Sequence, residues 1–202
     1  MQAVTTESVE RWNGGTCPFD AGWRKVMMWS FIVTDGLLFA GFLASYGYAR
    51  LLTSSWPDQA SVFSLPYIAA MTFVLVTSSA TMATAVDAAR SGRMATAGLN
   101  VLLTAAGGIV FLGMQAFEWL HVIDAGARLN GNPWGEAAFG AYFFLLTGFH
   151  GTHVLTGIVV LLATAVRGRH GVASAGGIEM AGLYWHFVDL VWVFIFTLFY
   201  LL

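Results

Sequence analysis

The chain has 202 residues, of which 57% are hydrophobic and only 10% charged, with a formal net charge of −2. A soluble domain carries about 25% charged residues, so composition excludes a water-soluble globular protein and points to an integral membrane protein. The lone cysteine, Cys17, excludes a disulfide framework and a thiolate metal site, and no nucleic-acid partner is expected.

Residues 1–23 begin with acids and lack an apolar stretch, so they read as a cytoplasmic N-terminal segment with no secretory signal. The remainder, 24–202, reads as one membrane domain. Its first apolar segment, near 24–49, carries Asp35 about eleven residues in, close to the midplane at 1.5 Å per residue. Ser54 to Asp58, with Pro57, form a turn before the second segment near 64–87. Arg90, Ser91, Gly92 and Arg93 separate it from the third, near 95–122, whose outer third bears Gln115 and Glu118. Asn130 to Trp134 lead into the fourth, near 136–166, with His150 and His153 about halfway down. Arg167 to Gly177 connect to the fifth, near 178–201, which carries His186 and Asp189. Each segment is long enough to cross a hydrocarbon core of roughly 30 Å as a helix. The expected fold is all-α, a polytopic bundle of five transmembrane helices.

Basic residues orient this bundle. Arg11, Arg24, Lys25, Arg90, Arg93, Arg167 and Arg169 fall on the N-terminal side, and only Arg50 and Arg128 on the other. The positive-inside rule therefore predicts a cytoplasmic N-terminus and an external C-terminus.

Helical spacing places His150, His153 and Gly157 on one stripe, and Gln115, Glu118 and Val122 on another. Trp185, Asp189 and Trp192 form a third, with His186 a turn before Asp189. Gly148, Gly151 and Gly157 allow close helix approach in lipid. The plainest reading of these polar residues is interhelical hydrogen bonding, at about 0.6 kcal/mol per bond. Asp35 and Asp189 ask for more, because a carboxylate at that depth needs a partner or must stay protonated. Among alternatives, His150 or His153 with His186 could serve a heme b in a membrane anchor that passes quinol electrons. A transporter finds no inverted repeat here, and no protease, phosphate-loop or hydrolase motif occurs.

Four stretches carry a resemblance over most of the chain: F-I-V-T-D-G-L-L-F-A-G-F (Phe31 to Phe42), G-M-Q-A-F-E-W-L-H (Gly113 to His121), T-G-F-H-G-T-H-V (Thr147 to Val154) and Y-W-H-F-V-D-L-V-W (Tyr184 to Trp192). In order and spacing they resemble subunit III of the heme–copper terminal oxidases, in its short five-helix form. The resemblance implies a non-catalytic subunit of a proton-pumping respiratory oxidase of the cytochrome c oxidase type. Such a subunit supports proton uptake and stability while oxygen is reduced to water. A quinol oxidase or a nitric-oxide-reductase-associated complex is the alternative within the family. The resemblance also implies no redox centre or metal in this chain, with heme and copper in partner subunits. It implies direct packing on subunit I, association with subunit II and any small subunits, bound phospholipid, and a bacterial-type inner membrane. Asp35 resembles the family's intramembrane acid, commonly Glu, and is the proton-path candidate. Arg167 resembles its lipid-headgroup arginine. Gln115, Glu118, His150, His153, His186 and Asp189 resemble its interhelical polar core. Asp35 is one methylene shorter than Glu, and the first two helices of the long form are missing.

Overall fold

The computed structural model describes residues 22–202. Arg11, Trp12 and Cys17 of the N-terminal segment lie outside the described residues. The elements are α1 (Trp23–Leu52), a single turn α2 (Gln59–Val62), α3 (Leu65–Arg90), α4 (Met94–Asp124), α5 (Ala138–Arg169) and α6 (Ala175–Ile195). A π-helical stretch, Phe196–Leu201, continues α6. Five of these helices are long and apolar enough to span a membrane, α6 being counted through Leu201. The chain is thus an all-helical, multi-pass membrane protein.

Helix ends follow local chemistry. α3 and α5 both stop in the same way, with a glycine two residues past the last helical residue, Gly92 at φ 74° and Gly171 at φ 70°. The next amides then reach back: Arg93 N–H donates to Ala88 O at 2.8 Å, and Val172 N–H to Arg167 O at 2.9 Å. These 6→1 bonds satisfy carbonyls that a helix end leaves orphaned, and only glycine enters the left-handed region without cost. Pro66 sits in the first turn of α3, where its missing N–H has no intrahelical partner to lose. At α6 the Ser174 hydroxyl accepts from Gly177 N–H at 3.1 Å and caps the helix.

α3, α4, α5 and α6 form a closed four-helix bundle, α3 and α5 each packing against both α4 and α6. α1 stands outside it against α5 and α6, burying only Phe39 and Tyr46. Apolar side chains gain little by leaving lipid, so specific packing and hydrogen bonds must hold such a bundle. Two indoles of α6 supply them: Trp185 Nε1 donates to Ser78 Oγ and Trp192 Nε1 to Thr72 Oγ1, each at 3.0 Å. α6 is therefore pinned to α3 at two heights. Gly157 lets α5 approach the same indole; a Cβ there would lie 3.0 Å from Trp185 and 3.2 Å from Tyr184. Gly148 meets Trp119 comparably, whereas a Cβ on Gly151 would meet only Leu112, at 3.9 Å. At the far end from Arg90, Phe63, Phe139, Phe143, Phe199 and Tyr200 stack into an aromatic plug, with ring centroids from 4.8 Å apart.

Candidate functional site

The intramembrane polar residues assemble between helices, in separate clusters rather than one continuous network. Asp35 of α1 faces His153 of α5, Oδ2 to Nε2 at 3.2 Å, with side chains 10% and 15% exposed. The separation is an ion-pair distance, while the alignment falls short of a hydrogen bond. His153 Nδ1 donates to Phe149 O at 2.9 Å, because a carbonyl can only accept. In a neutral imidazole Nε2 is then the acceptor. A proton between the two residues thus sits either on Asp35, leaving both groups neutral, or on His153, making an ion pair. Tyr184 of α6 donates to His153 O at 3.0 Å and closes the cluster.

On the α3–α6 seam, Ser79 Oγ and His186 Nδ1 share a hydrogen bond of 2.6 Å. Asp189, about one turn further along α6, has a buried Oδ1 without a partner. A third cluster joins α4 to the π-helical stretch. Glu118 Oε2 accepts from Tyr200 Oη at 3.1 Å and from Gln115 Nε2 at 3.3 Å, while Glu118 Oε1 and Gln115 Oε1 lack donors. His150, 1% exposed, stands apart, both ring nitrogens without partners. Its imidazole is wedged between Trp192, Phe111 and Phe39, with centroids 5.2, 5.9 and 6.4 Å away. As packed, neither nitrogen is open to an axial position of a heme.

His150 and His153 share a stripe in sequence, yet three residues turn a helix by about 300°. The 60° left over sends His150 into the bundle and His153 toward α1. Among the described residues, no group of three or more His, Cys, Asp or Glu gathers as a metal centre. Arg167, at the end of α5, is exposed and has no side-chain partner among the described residues.

Spacing alone did not reveal the charged clamp at the Arg90 end of the bundle. Glu179 of α6 binds Lys25 of α1 at 2.6 Å and Arg90 of α3 at 3.2 Å. The signal in the sequence is an acid at an end of the bundle where basic residues such as Lys25, Arg90, Arg93, Arg167 and Arg169 gather and Asp87 is the other acid among the described residues. Ser79 and Tyr200 were likewise silent, being ordinary residues in apolar helices.

Fold and site together define a polytopic helical protein whose acids and histidines are held between membrane helices. The family model of cytochrome c oxidase subunit III matches residues 9–202. Cytochrome c oxidase subunit 3 of Thermostichus vulcanus is 33% identical over 176 residues, covering 85% of this chain and 84% of that protein. Cytochrome bo(3) ubiquinol oxidase subunit 3 of Pseudomonas aeruginosa is 34% identical over 191 residues, covering 91% and 87%. Quinol oxidase subunit 3 of Bacillus spizizenii is 32% identical over 177 residues, covering 86% and 84%. The chain belongs to the cytochrome c oxidase subunit III family, and is subunit III of a heme–copper respiratory oxidase.

Proposed function

We propose that this chain packs on the large catalytic subunit of its oxidase through the side bearing α1, and supports proton uptake and durability during reduction of oxygen to water. The observation that carries this reading is the Asp35–His153 pair. It joins two ionisable groups, expected near mid-membrane depth, across a helix that its own bundle leaves largely uncovered. Ionisable groups at that depth are costly and mark a site of use. Asp35 is the proton-path acid and His153 its partner. Gln115, Glu118, His186 and Asp189 hold helices together, and Arg167 meets a phospholipid headgroup with its free guanidinium. Heme and copper belong to partner subunits. The N-terminus faces the cytoplasm of a bacterial-type inner membrane, with Arg24, Lys25, Arg90, Arg93, Arg167 and Arg169 on that side. A second reading, with quinol as electron donor, is favoured by the similarity to two quinol oxidase subunits at 34% and 32% identity.

The test is mass spectrometry of the chains that co-purify in mild detergent, followed by Asp35→Ala in that complex. A large polytopic partner and a copper-binding companion are expected, with heme spectra intact and proton uptake or turnover lifetime reduced. Unchanged uptake and lifetime would leave Asp35 a packing residue.

A further inference from the structure

A cavity of about 220 Å³ opens between the start of α3 and the last turns of α4, lined by Ser64, Tyr67, Phe117, Glu118 and His121. Glu118 lies at its inner side, 5% exposed, with one carboxylate oxygen lacking any donor. Among the described residues Glu118 has no cationic partner; the ion pairs go to Glu179, Asp87 and Asp35 instead. A buried carboxyl without a counter-charge either stays protonated or takes one from outside. Tyr67 and Phe117, packed on each other with ring centroids 6.1 Å apart, form an aromatic wall of the cavity, and aromatic rings attract positive charge. Tyr67 Oη is fixed by donating to Met114 O at 2.9 Å, which leaves its lone pairs free to accept.

The position narrows the source. Glu118 lies six residues before the end of α4, about 9 Å along the axis, at headgroup rather than midplane depth. Below the cavity, Leu99, Leu103, Val110 and Phe117 form an exposed apolar stripe at helical spacing. From Leu103 to Phe117 that stripe runs about 21 Å, longer than half of a roughly 30 Å hydrocarbon core. We propose that the cavity over Glu118 binds the primary ammonium of an amine-bearing lipid headgroup, whose acyl chain follows the exposed face of α4. Entry of the ammonium shifts the Glu118 carboxylate slightly and satisfies its free oxygen. This site is at the opposite end of the bundle from Arg167, and it does not depend on the proton role of Asp35.

The test uses the purified oxidase complex in nanodiscs of mixed phosphatidylethanolamine, phosphatidylcholine and phosphatidylglycerol, with retained lipids counted by native mass spectrometry after partial delipidation. Wild type is expected to retain one more phosphatidylethanolamine than Glu118→Gln, whose affinity for it falls on the order of tenfold, as loss of one charge-assisted hydrogen bond dictates. Phe117→Leu removes an exposed aromatic wall without touching the core, and is expected to weaken the same lipid. Equal retention in all three proteins overturns the proposal. So does equal loss of phosphatidylcholine or phosphatidylglycerol, which marks a packing defect. In nanodiscs lacking phosphatidylethanolamine, saturable binding of free ethanolamine with no selective lipid retention assigns the cavity to a soluble amine and overturns the lipid source.

Discussion

Tyr200, in the π-helical stretch, donates its hydroxyl to Glu118 Oε2 across 82 residues of sequence, and the bond is 3.1 Å long and fully buried. The i→i+5 bonding of a π-helix widens the turn, and the Phe199 and Tyr200 rings both reach the core, at most 1% exposed. The last helix thereby plugs the bundle with one ring and ties itself to α4 with the other. Tyr200→Phe keeps the ring and removes the donor. The expected cost is about 1–2 kcal/mol, seen as a lower thermal midpoint of the purified complex, and an unchanged midpoint would mean that the bond contributes nothing net.

Asp35 and His153 form an independent coupling across the α1–α5 seam. A double-mutant cycle with Asp35→Asn and His153→Gln is expected to return an interaction energy of roughly 0.5–3 kcal/mol. The measurement is resistance of the complex to denaturant. Additive effects would show that the two side chains are neighbours without energetic consequence.

Gly157 and Gly151 make a matched pair of probes on one helix. Gly157→Ala pushes a methyl against the Trp185 ring, 3.0 Å away, and overpacking of this kind costs about 1–3 kcal/mol. Gly151→Ala meets only Leu112 at 3.9 Å and is expected to leave stability at or slightly above wild type. Equal melting behaviour of the two variants would contradict the close approach of α5 to α6.

The Lys25–Glu179 pair is half open to solvent, with the Lys25 side chain 43% exposed. Its worth is therefore below about 1 kcal/mol and falls with salt. Lys25→Met is expected to speed amide hydrogen exchange in the first turns of α1 while α3 and α6, still joined by Arg90 to Glu179, exchange as before. Uniform acceleration in all three helices would show that Lys25 supports the whole bundle end.

Much of this was legible in the residues themselves. Long apolar runs announce five spans because lipid imposes a length, and Asp35, Glu118, His153 and Asp189 stand out because lipid makes each of them expensive. Hydropathy marks the apolar part of a helix rather than its hydrogen-bonded extent, so Arg90, Asp124 and Arg169 prove to be helical beyond the expected spans. Partners were harder to see. A 3.6-residue period groups His150 with His153, though the two end up among different neighbours. That period also fails in the π-helical stretch, where Tyr200 acquires its role. Lys25 and Glu179 are 154 residues apart, and nothing local to either announces the other.

Three polar attachments of α1 to α5 and α6 fall at equal intervals of ten residues. Lys25 holds α6, Asp35 faces α5, and Ser45 Oγ shares a 2.8 Å hydrogen bond with Tyr142 Oη of α5. Ten residues advance a helix by about 15 Å and leave its face turned back by about 80°, so the attachments spiral around α1 as it crosses from α6 to α5. The residues between them act as spacers whose number matters more than their identity. Inserting a single residue between Lys25 and Asp35 would swing one attachment about 100° out of phase with the next, whereas exchanging one exposed apolar residue for another there would leave all three engaged.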